Sequence, residues 1–144
     1  MLLGMVYPDV VIYVNELDKG FLTHLGEKLA GNNALLNPQN LILTKGGKES
    51  TALEGRRLNK IILRNTFHHF KRKPEMLEAI TRTLNPQGRL YVLETVRDIN
   101  PDRRLCKLSM SQREIIDLIE LNGFRLADQI ELKGKLLMTF YVEN

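Results

Sequence analysis

Short apolar runs rich in β-branched residues alternate with helical patterns along this chain, and this alternation constrains its fold more than any other feature. Most of the runs are continuously apolar, which is typical of strands buried on both faces of a sheet. The first four runs are VVIYV at residues 10–14, NLILT at 40–44, KIILRN at 60–65 and RLYVLETV at 89–96. Strands that alternate with helices predict an α/β fold, with a mainly parallel sheet and helices on both of its faces.

Helical patterns with one apolar face lie between these runs. Asp18 is a suitable N-cap for the first helix, and Pro74 stands where a second helix begins. The sequence SQRE at 111–114 is a capping box that predicts the start of a third helix. Two more strand-like runs follow, FRLADQIEL at 124–132 and KLLMTFYV at 135–142. Because only two residues separate them, they predict an antiparallel pair at the end of the sheet.

Composition narrows the classes of protein that the chain can belong to. Its 144 residues suggest a single domain over 1–144, and 43% hydrophobic with 26% charged residues indicates a globular protein with a real core. The one cysteine, Cys106, excludes an internal disulfide and is typical of a reducing compartment, so we expect a cytoplasmic protein. No apolar run approaches the roughly 20 residues of a membrane helix. The net charge is +4, but the lysines and arginines are scattered along the sequence, so a nucleic-acid partner is not expected.

Polar segments follow three of the predicted strands. They are NELD at 15–18, KGGK at 45–48 and RNTFHHF at 64–70. Ligands of parallel α/β sheets bind beyond the carboxyl ends of the strands. The sequence therefore predicts a binding site built from these segments.

The pair His68-His69 has three interpretations. The simplest is a strand-to-helix turn in which one histidine faces a pocket while Phe67 and Phe70 pack. The second makes His68 a base or an orienting group for a substrate. The third is a zinc site, which we do not predict because no histidine or cysteine has zinc-ligand spacing along the sequence.

The order and spacing of four segments resemble a known family of enzymes. They are VIYVNELDKGFL at 11–22, IILRNTFHHF at 61–70, MLEAITRTLNPQGRLYVLET at 76–95 and MSQREIIDLIELNGF at 110–124. Together they resemble the class I S-adenosylmethionine-dependent methyltransferases, especially the small-molecule branch similar to the quinone-biosynthesis enzymes. The resemblance implies a Rossmann-like fold, S-adenosylmethionine as the cofactor and a small-molecule methyl acceptor.

The resemblance also implies where the cofactor binds. Glu16 takes the position of the acidic residue that binds the ribose hydroxyls, and a carboxylate can accept from both hydroxyls of a diol. Gly47, with Lys48 beside it, stands where the family usually has an aspartate for the adenine amino group. Arg64 and Asn65 would line the cofactor pocket at the end of their strand.

Catalysis would involve His68, placed beside the transferred methyl group as a base or orienting residue. The chain has no G-x-G motif, the glycine-rich loop that cradles the cofactor in the family. We therefore expect an N-terminally incomplete, truncated or impaired domain that lacks the first strand-loop-helix unit and binds S-adenosylmethionine weakly. The alternative is a non-catalytic relative that serves as a binding or partner subunit, and an RNA-directed enzyme rests only on the basic charge.

Loss of that unit would also affect the sheet. The missing strand lies at the centre of the family's sheet, between the strands at 10–14 and 60–65. We expect these two strands to become neighbours in one sheet or to be bridged by another chain, as in a homodimer, because open apolar edges associate.

Overall fold

The computed structural model describes residues 10–31, 40–99 and 106–143. The chain divides into two compact units, Met1–Gly47 and Lys48–Asn144. The interpretation of residues 1–144 as one domain stays a prediction beside this division. Among the described helices, none has the length and apolar character that crossing a membrane requires.

The smaller unit contains a parallel strand pair joined by a helix. Strand β1 is Ile12–Glu16, helix α1 is Lys19–Gly31 and strand β2 is Leu41–Lys45. The strands pair in parallel from Ile12 with Leu41 to Glu16 with Lys45. Asp18 caps α1 as predicted, because its Oδ1 accepts a hydrogen bond from the N–H of Phe21 at 3.1 Å.

The larger unit contains a mixed four-stranded sheet and two helices. Its elements are β3 (Leu58–Arg64), α2 (Lys73–Thr83), β4 (Leu84–Glu94), α3 (Gln112–Glu120), β5 (Phe124–Leu132) and β6 (Lys135–Val142). The strand order is β3-β4-β6-β5. Strands β3 and β4 run parallel, whereas β6 is antiparallel to both β4 and β5. The structure thus confirms the parallel strands and the antiparallel C-terminal pair.

Local sequence explains the ends of these elements. Pro74 lies in the first turn of α2, and Ser111 caps α3 through the predicted capping box. The turn between β5 and β6 is Lys133-Gly134, with φ angles of 50° and 75°. Positive φ at both residues is the pattern of a type I′ hairpin turn, whose twist matches that of the strands.

Strand β4 begins five residues before its predicted start at Arg89, directly after α2 ends at Thr83. Gly88 permits this extension, because a Cβ there would lie 3.0 Å from the carbonyl oxygen of Leu58 on β3. The pairing with β3 is irregular at this point, between Leu58 and Lys60. The NPQG segment at 85–88 therefore belongs to the strand.

The core lies on one face of the four-stranded sheet. Leu90 and Val92 of β4 pair with Phe140 and Met138 of β6, and all four side chains are fully buried. The same apolar cluster contains residues of both helices of the unit: Met76, Leu77 and Ile80 of α2, and Ile115 and Ile119 of α3. Both helices thus cover the same face, and the expectation of helices on both faces is wrong for the described part of this sheet.

Strands β1 and β3 belong to different sheets, so the expectation that they are neighbours in one sheet is wrong. Each parallel pair consists of strands that are consecutive among the described elements, β1 with β2 and β3 with β4, with a described α-helix between them. Each pair is thus a βαβ unit, in which two parallel strands and the helix between them come from one continuous stretch of the chain. Within the described ranges no strand joins the two pairs.

Candidate functional site

Glu16 is the last residue of β1 and its carboxylate turns back over the following loop. Its Oε1 accepts the N–H of Leu17 at 2.7 Å and the N–H of Asp18 at 3.2 Å. These two bonds fix the carboxylate at the carboxyl end of the strand. Because a carboxylate has about four acceptor sites, Oε2 retains the capacity to bind hydroxyl donors.

Gly46 closes the parallel pair immediately beyond β2. Its N–H donates to the carbonyl oxygen of Glu16 at 3.0 Å, and a Cβ at this position would lie 2.3 Å from Oδ1 of Asn15. A side chain here would displace the side chain of Asn15. Gly47, the residue selected from the sequence, comes next and is half-buried.

Asn65 follows β3 in the larger unit and combines two unusual features. Its φ angle is 48°, in the left-handed region, and its N–H donates to the carbonyl oxygen of Leu93 at 2.8 Å. Its side-chain Oδ1 is buried and, within the part of the chain that the structure describes, accepts no hydrogen bond. Backbone strain and an unsatisfied buried acceptor are both concentrated at binding sites.

His68 lies in a 3₁₀ turn at Phe67–His69 and is bonded to a buried carboxylate. Glu94, the last residue of β4, is 1% exposed. Its Oε1 accepts the N–H of Phe67 at 2.8 Å, and its Oε2 lies 2.7 Å from Nδ1 of His68. Because a carboxylate only accepts, Nδ1 of His68 donates and Nε2 is the nitrogen left to accept a proton.

The aromatic residues and a lysine hold this turn in place. Phe67 is fully buried, and its ring meets that of Phe70 edge to face at 6.0 Å, as the turn interpretation predicts. Lys73 Nζ donates to the carbonyl oxygens of Phe70 at 2.7 Å and His68 at 3.3 Å. Burial lowers the pKa of Lys73, while the charge of Glu94 acts in the opposite direction. Hydrogen bonds thus hold the turn at Phe67, where it begins, and at Phe70, directly after its last residue.

The structure distributes the predicted site residues over the two units. Glu16 and Gly47 lie in the smaller unit, and the other four lie in the larger one: Lys48, Arg64, Asn65 and His68. Asn65 and His68 come together, because both are bonded to the last two residues of β4. Lys48 and Arg64 are exposed.

Glu94 is a residue of the candidate site that sequence reasoning missed. The run RLYVLETV places Leu90, Val92 and Glu94 at alternate positions, hence on one face of a strand. A carboxylate that continues a buried apolar face must have a partner. This alternation was the available indication that Glu94 bonds to groups in the adjoining loop.

Solved structures, rather than family models or curated sequences, resemble this chain. No protein-family model and no curated protein sequence matches it. A solved structure of an S-adenosylmethionine-dependent methyltransferase from Aquifex aeolicus matches with a TM-score of 0.82 at 17% sequence identity, over 97% of this chain and 72% of that chain. The chain has the methyltransferase fold.

Further methyltransferases share this fold. The glycopeptide N-methyltransferase MtfA, solved in complex with S-adenosylmethionine, matches with a TM-score of 0.78 at 11% identity, over 99% of this chain and 80% of that chain. The structure of a methyltransferase complex with the Trm112 activator of Haloferax volcanii matches with a TM-score of 0.70 at 12% identity, over 92% of this chain and 72% of that chain. The fold implied by the sequence resemblance is thus confirmed.

Proposed function

We propose that this protein is an S-adenosylmethionine-dependent methyltransferase that acts on a small molecule. The observation that carries the proposal is Asn65, a strained residue with a buried and unsatisfied amide oxygen, at the carboxyl end of a parallel strand of a methyltransferase fold. An acceptor of this kind fits a hydroxyl or amino donor of the cofactor. Ligands of parallel α/β sheets bind at this end of the strands.

Each unit offers its own candidate groups for the cofactor. Glu16 binds the ribose hydroxyls through Oε2, because Oε1 is engaged by two backbone N–H groups. Asn65 accepts from a polar group of the cofactor. The sequence resemblance assigns Gly47 and Lys48 to the adenine, and it assigns Arg64, at the end of β3, to the cofactor as well. The bound cofactor supplies a methyl group on a sulfonium, a reactive group that no amino-acid side chain provides.

His68 is the catalytic residue of the proposal. Glu94 holds Nδ1 of His68, so that Nε2 can accept the proton of a hydroxyl or acidic carbon as that atom becomes the nucleophile. Methyl transfer requires the nucleophile to be aligned with the methyl carbon, and a histidine fixed by a buried carboxylate is suited to orient it. A small molecule with an acidic hydroxyl or carbon fits this arrangement.

Calorimetric titration with S-adenosylmethionine tests the proposal. We expect binding that is weaker than micromolar, because the chain has no G-x-G motif to present backbone N–H groups to the cofactor. Glu16→Ala should weaken binding by about 10- to 100-fold, since it removes hydrogen bonds to a charged group. Glu27→Ala, an exposed glutamate on α1, is the matched control and should bind like the wild type.

Three results would contradict parts of the proposal. Absence of binding at millimolar cofactor would reject the cofactor itself. Equal binding by Glu16→Ala and the wild type would reject the ribose site. Micromolar or tighter binding by the wild type would show that the chain binds the cofactor well without a G-x-G motif. That result would contradict the expected weak binding and support the assignment as an enzyme.

A further inference from the structure

Three metal-binding side chains converge beside the turn that contains His68. Among the described residues, one ligand atom from each of His68, His69 and Cys106 lies within 4.8 Å of the other two. Cys106 is distant in sequence and reaches the pair from the segment that precedes α3. The prediction against a metal rested on sequence spacing, which does not register a ligand supplied by a distant segment.

We propose that His68, His69 and Cys106 form a zinc site. Thiolate and imidazole are the ligands that Zn²⁺ prefers, and three protein ligands with an open fourth position are typical of catalytic zinc. In a tetrahedral zinc site with two nitrogen ligands and one sulfur ligand, the ligand atoms lie about 3.3–3.5 Å apart, given Zn–N near 2.0 Å and Zn–S near 2.3 Å. The observed cluster must therefore contract by about 1 Å, and the side chains of His69 and Cys106 are exposed and can move.

Two features hold the ligands in position without metal. Glu94 accepts from Nδ1 of His68 at 2.7 Å, the outer-shell arrangement that orients metal-binding histidines and selects Nε2 as the ligand atom. Cys106 begins a turn in which its carbonyl oxygen accepts the N–H of Ser109 at 2.9 Å, and Ser109 is buried. The rings of His68 and His69 lie 4.0 Å apart between centroids, so both imidazoles are already adjacent.

The zinc site does not rest on the proposed function. It uses Nε2 of His68, the atom assigned above as the proton acceptor, so the two roles of this histidine exclude each other. Zinc therefore inhibits any reaction that needs His68 as a base, and it converts the end of β4 from a proton-accepting centre to a Lewis-acidic one. The fourth position of the metal is open to water or to an anionic ligand.

Cobalt titration of the whole, metal-free chain under reducing conditions tests the site. Co²⁺ takes the geometry of Zn²⁺ sites and is visible by absorption. We expect one equivalent of Co²⁺ to produce intense visible bands of a tetrahedral ion and a near-ultraviolet sulfur-to-cobalt charge-transfer band, both removed by one equivalent of Zn²⁺. Octahedral spectra, or no stoichiometric binding, would overturn the proposal.

Variants assign the ligands. Cys106→Ser should abolish the charge-transfer band, and because Cys106 is exposed its loss should not affect folding. Glu94→Gln should weaken Co²⁺ binding by about 10- to 100-fold, because the outer-shell hydrogen bond between the carboxylate and His68 is lost. His69→Ala should weaken Co²⁺ binding, whereas His24→Ala, the histidine outside the cluster, should not. A charge-transfer band that survives in Cys106→Ser, or equal affinity in His69→Ala and His24→Ala, would reject the site.

Discussion

Asn65 concentrates two energetic costs in one residue. A left-handed backbone costs about 1–2 kcal/mol for most residues, and asparagine tolerates it better than others. A buried acceptor without a hydrogen bond costs about 1–3 kcal/mol. A ligand that donates a hydrogen bond to this oxygen would remove the second cost, and for this reason we propose that the cofactor binds here.

Substitution of Asn65 separates the backbone cost from the side-chain function. Asn65→Gly should be more stable than Asn65→Ala by about 1 kcal/mol, because only glycine adopts positive φ without strain. Both variants lack the amide, so both should bind S-adenosylmethionine about 10-fold more weakly than the wild type. Urea denaturation and calorimetry measure the two effects.

Arg57 supplies the matched control for this comparison. It also has a positive φ, 55°, but its side chain is exposed. Arg57→Gly should exceed Arg57→Ala in stability by a similar margin, and neither variant should change cofactor binding. Different cofactor affinities for Asn65→Gly and Asn65→Ala would contradict the assignment of the amide as the binding group.

Individual site residues were predictable to different degrees. His68 and Asn65 were visible in the sequence because they follow an apolar run, and strand ends are where α/β proteins bind ligands. Glu94 and Cys106 were not visible in this way, because they lie 26 and 38 positions along the chain from His68, the residue beside which the structure places both of them. Contacts of this kind depend on how β4 and the segment before α3 pack, and no local pattern reports that packing.

At the scale of single elements, α3 shows how a short motif defines a helix end. Ser111 Oγ accepts the N–H of Glu114 at 3.1 Å, and Glu114 Oε2 accepts the N–H of Ser111 at 2.6 Å. The backbone and hydroxyl of Ser111, followed by Arg97, hold the pKa of Glu114 below its ordinary value. The capping box thus operates in both directions.

The capping box should give α3 a characteristic dependence on pH. Ser111→Ala should lower the free energy of unfolding by about 1 kcal/mol at neutral pH, the usual cost of losing such a cap. Because the folded pKa of Glu114 is depressed, its contribution is fully present above its unfolded pKa and is lost as the pH falls through the folded value. The stability difference between wild type and Glu114→Gln should therefore disappear at low pH in urea titrations.

Arg113→Ala is the control for this helix. Its side chain is 89% exposed, so the substitution should change stability by less than about 0.5 kcal/mol. A difference between wild type and Glu114→Gln that is constant from neutral to acidic pH would contradict the reciprocal bond.

Element types were more predictable than element partners. Every predicted helix and strand that lies in the described ranges is present, because apolar periodicity and caps act over a few residues. Strand β4 begins early because its first residues pair with β3, and that pairing is a long-range contact. The expectation that β1 and β3 are neighbours was wrong for the same reason. Which strand pairs with which cannot be determined from the sequence of either strand alone.

At the scale of the molecule, the two units differ in how much apolar material they bury. The buried apolar cluster lies entirely in Lys48–Asn144, whereas Leu22 is the one described hydrophobic residue of Met1–Gly47 in the buried class. Local opening is easiest where few apolar contacts must break. The smaller unit is thus expected to open at lower free energy, while association of edge strands into a homodimer stays a prediction.

Hydrogen exchange measured by mass spectrometry checks this difference. Peptides that contain β1 and β2 should exchange faster than peptides that contain β4 and β6, and they should lose protection at lower urea concentrations. The central strand β4 is paired on both sides and serves as the internal reference. Equal protection of β1 and β4 across the urea series would contradict the expectation.

The two oxygens of Glu94 also constrain which substitutions evolution can accept at this turn. One oxygen binds a main-chain N–H, that of Phe67, which is present whatever residue replaces Phe67, provided that it is not proline. The other binds a side chain, His68, which can be replaced. Loss of the histidine alone would leave one oxygen of a buried carboxylate without its partner, and loss of the acid alone would leave a buried amide unsatisfied. Neither substitution is neutral by itself, so Glu94 and His68 are expected to be kept or replaced together.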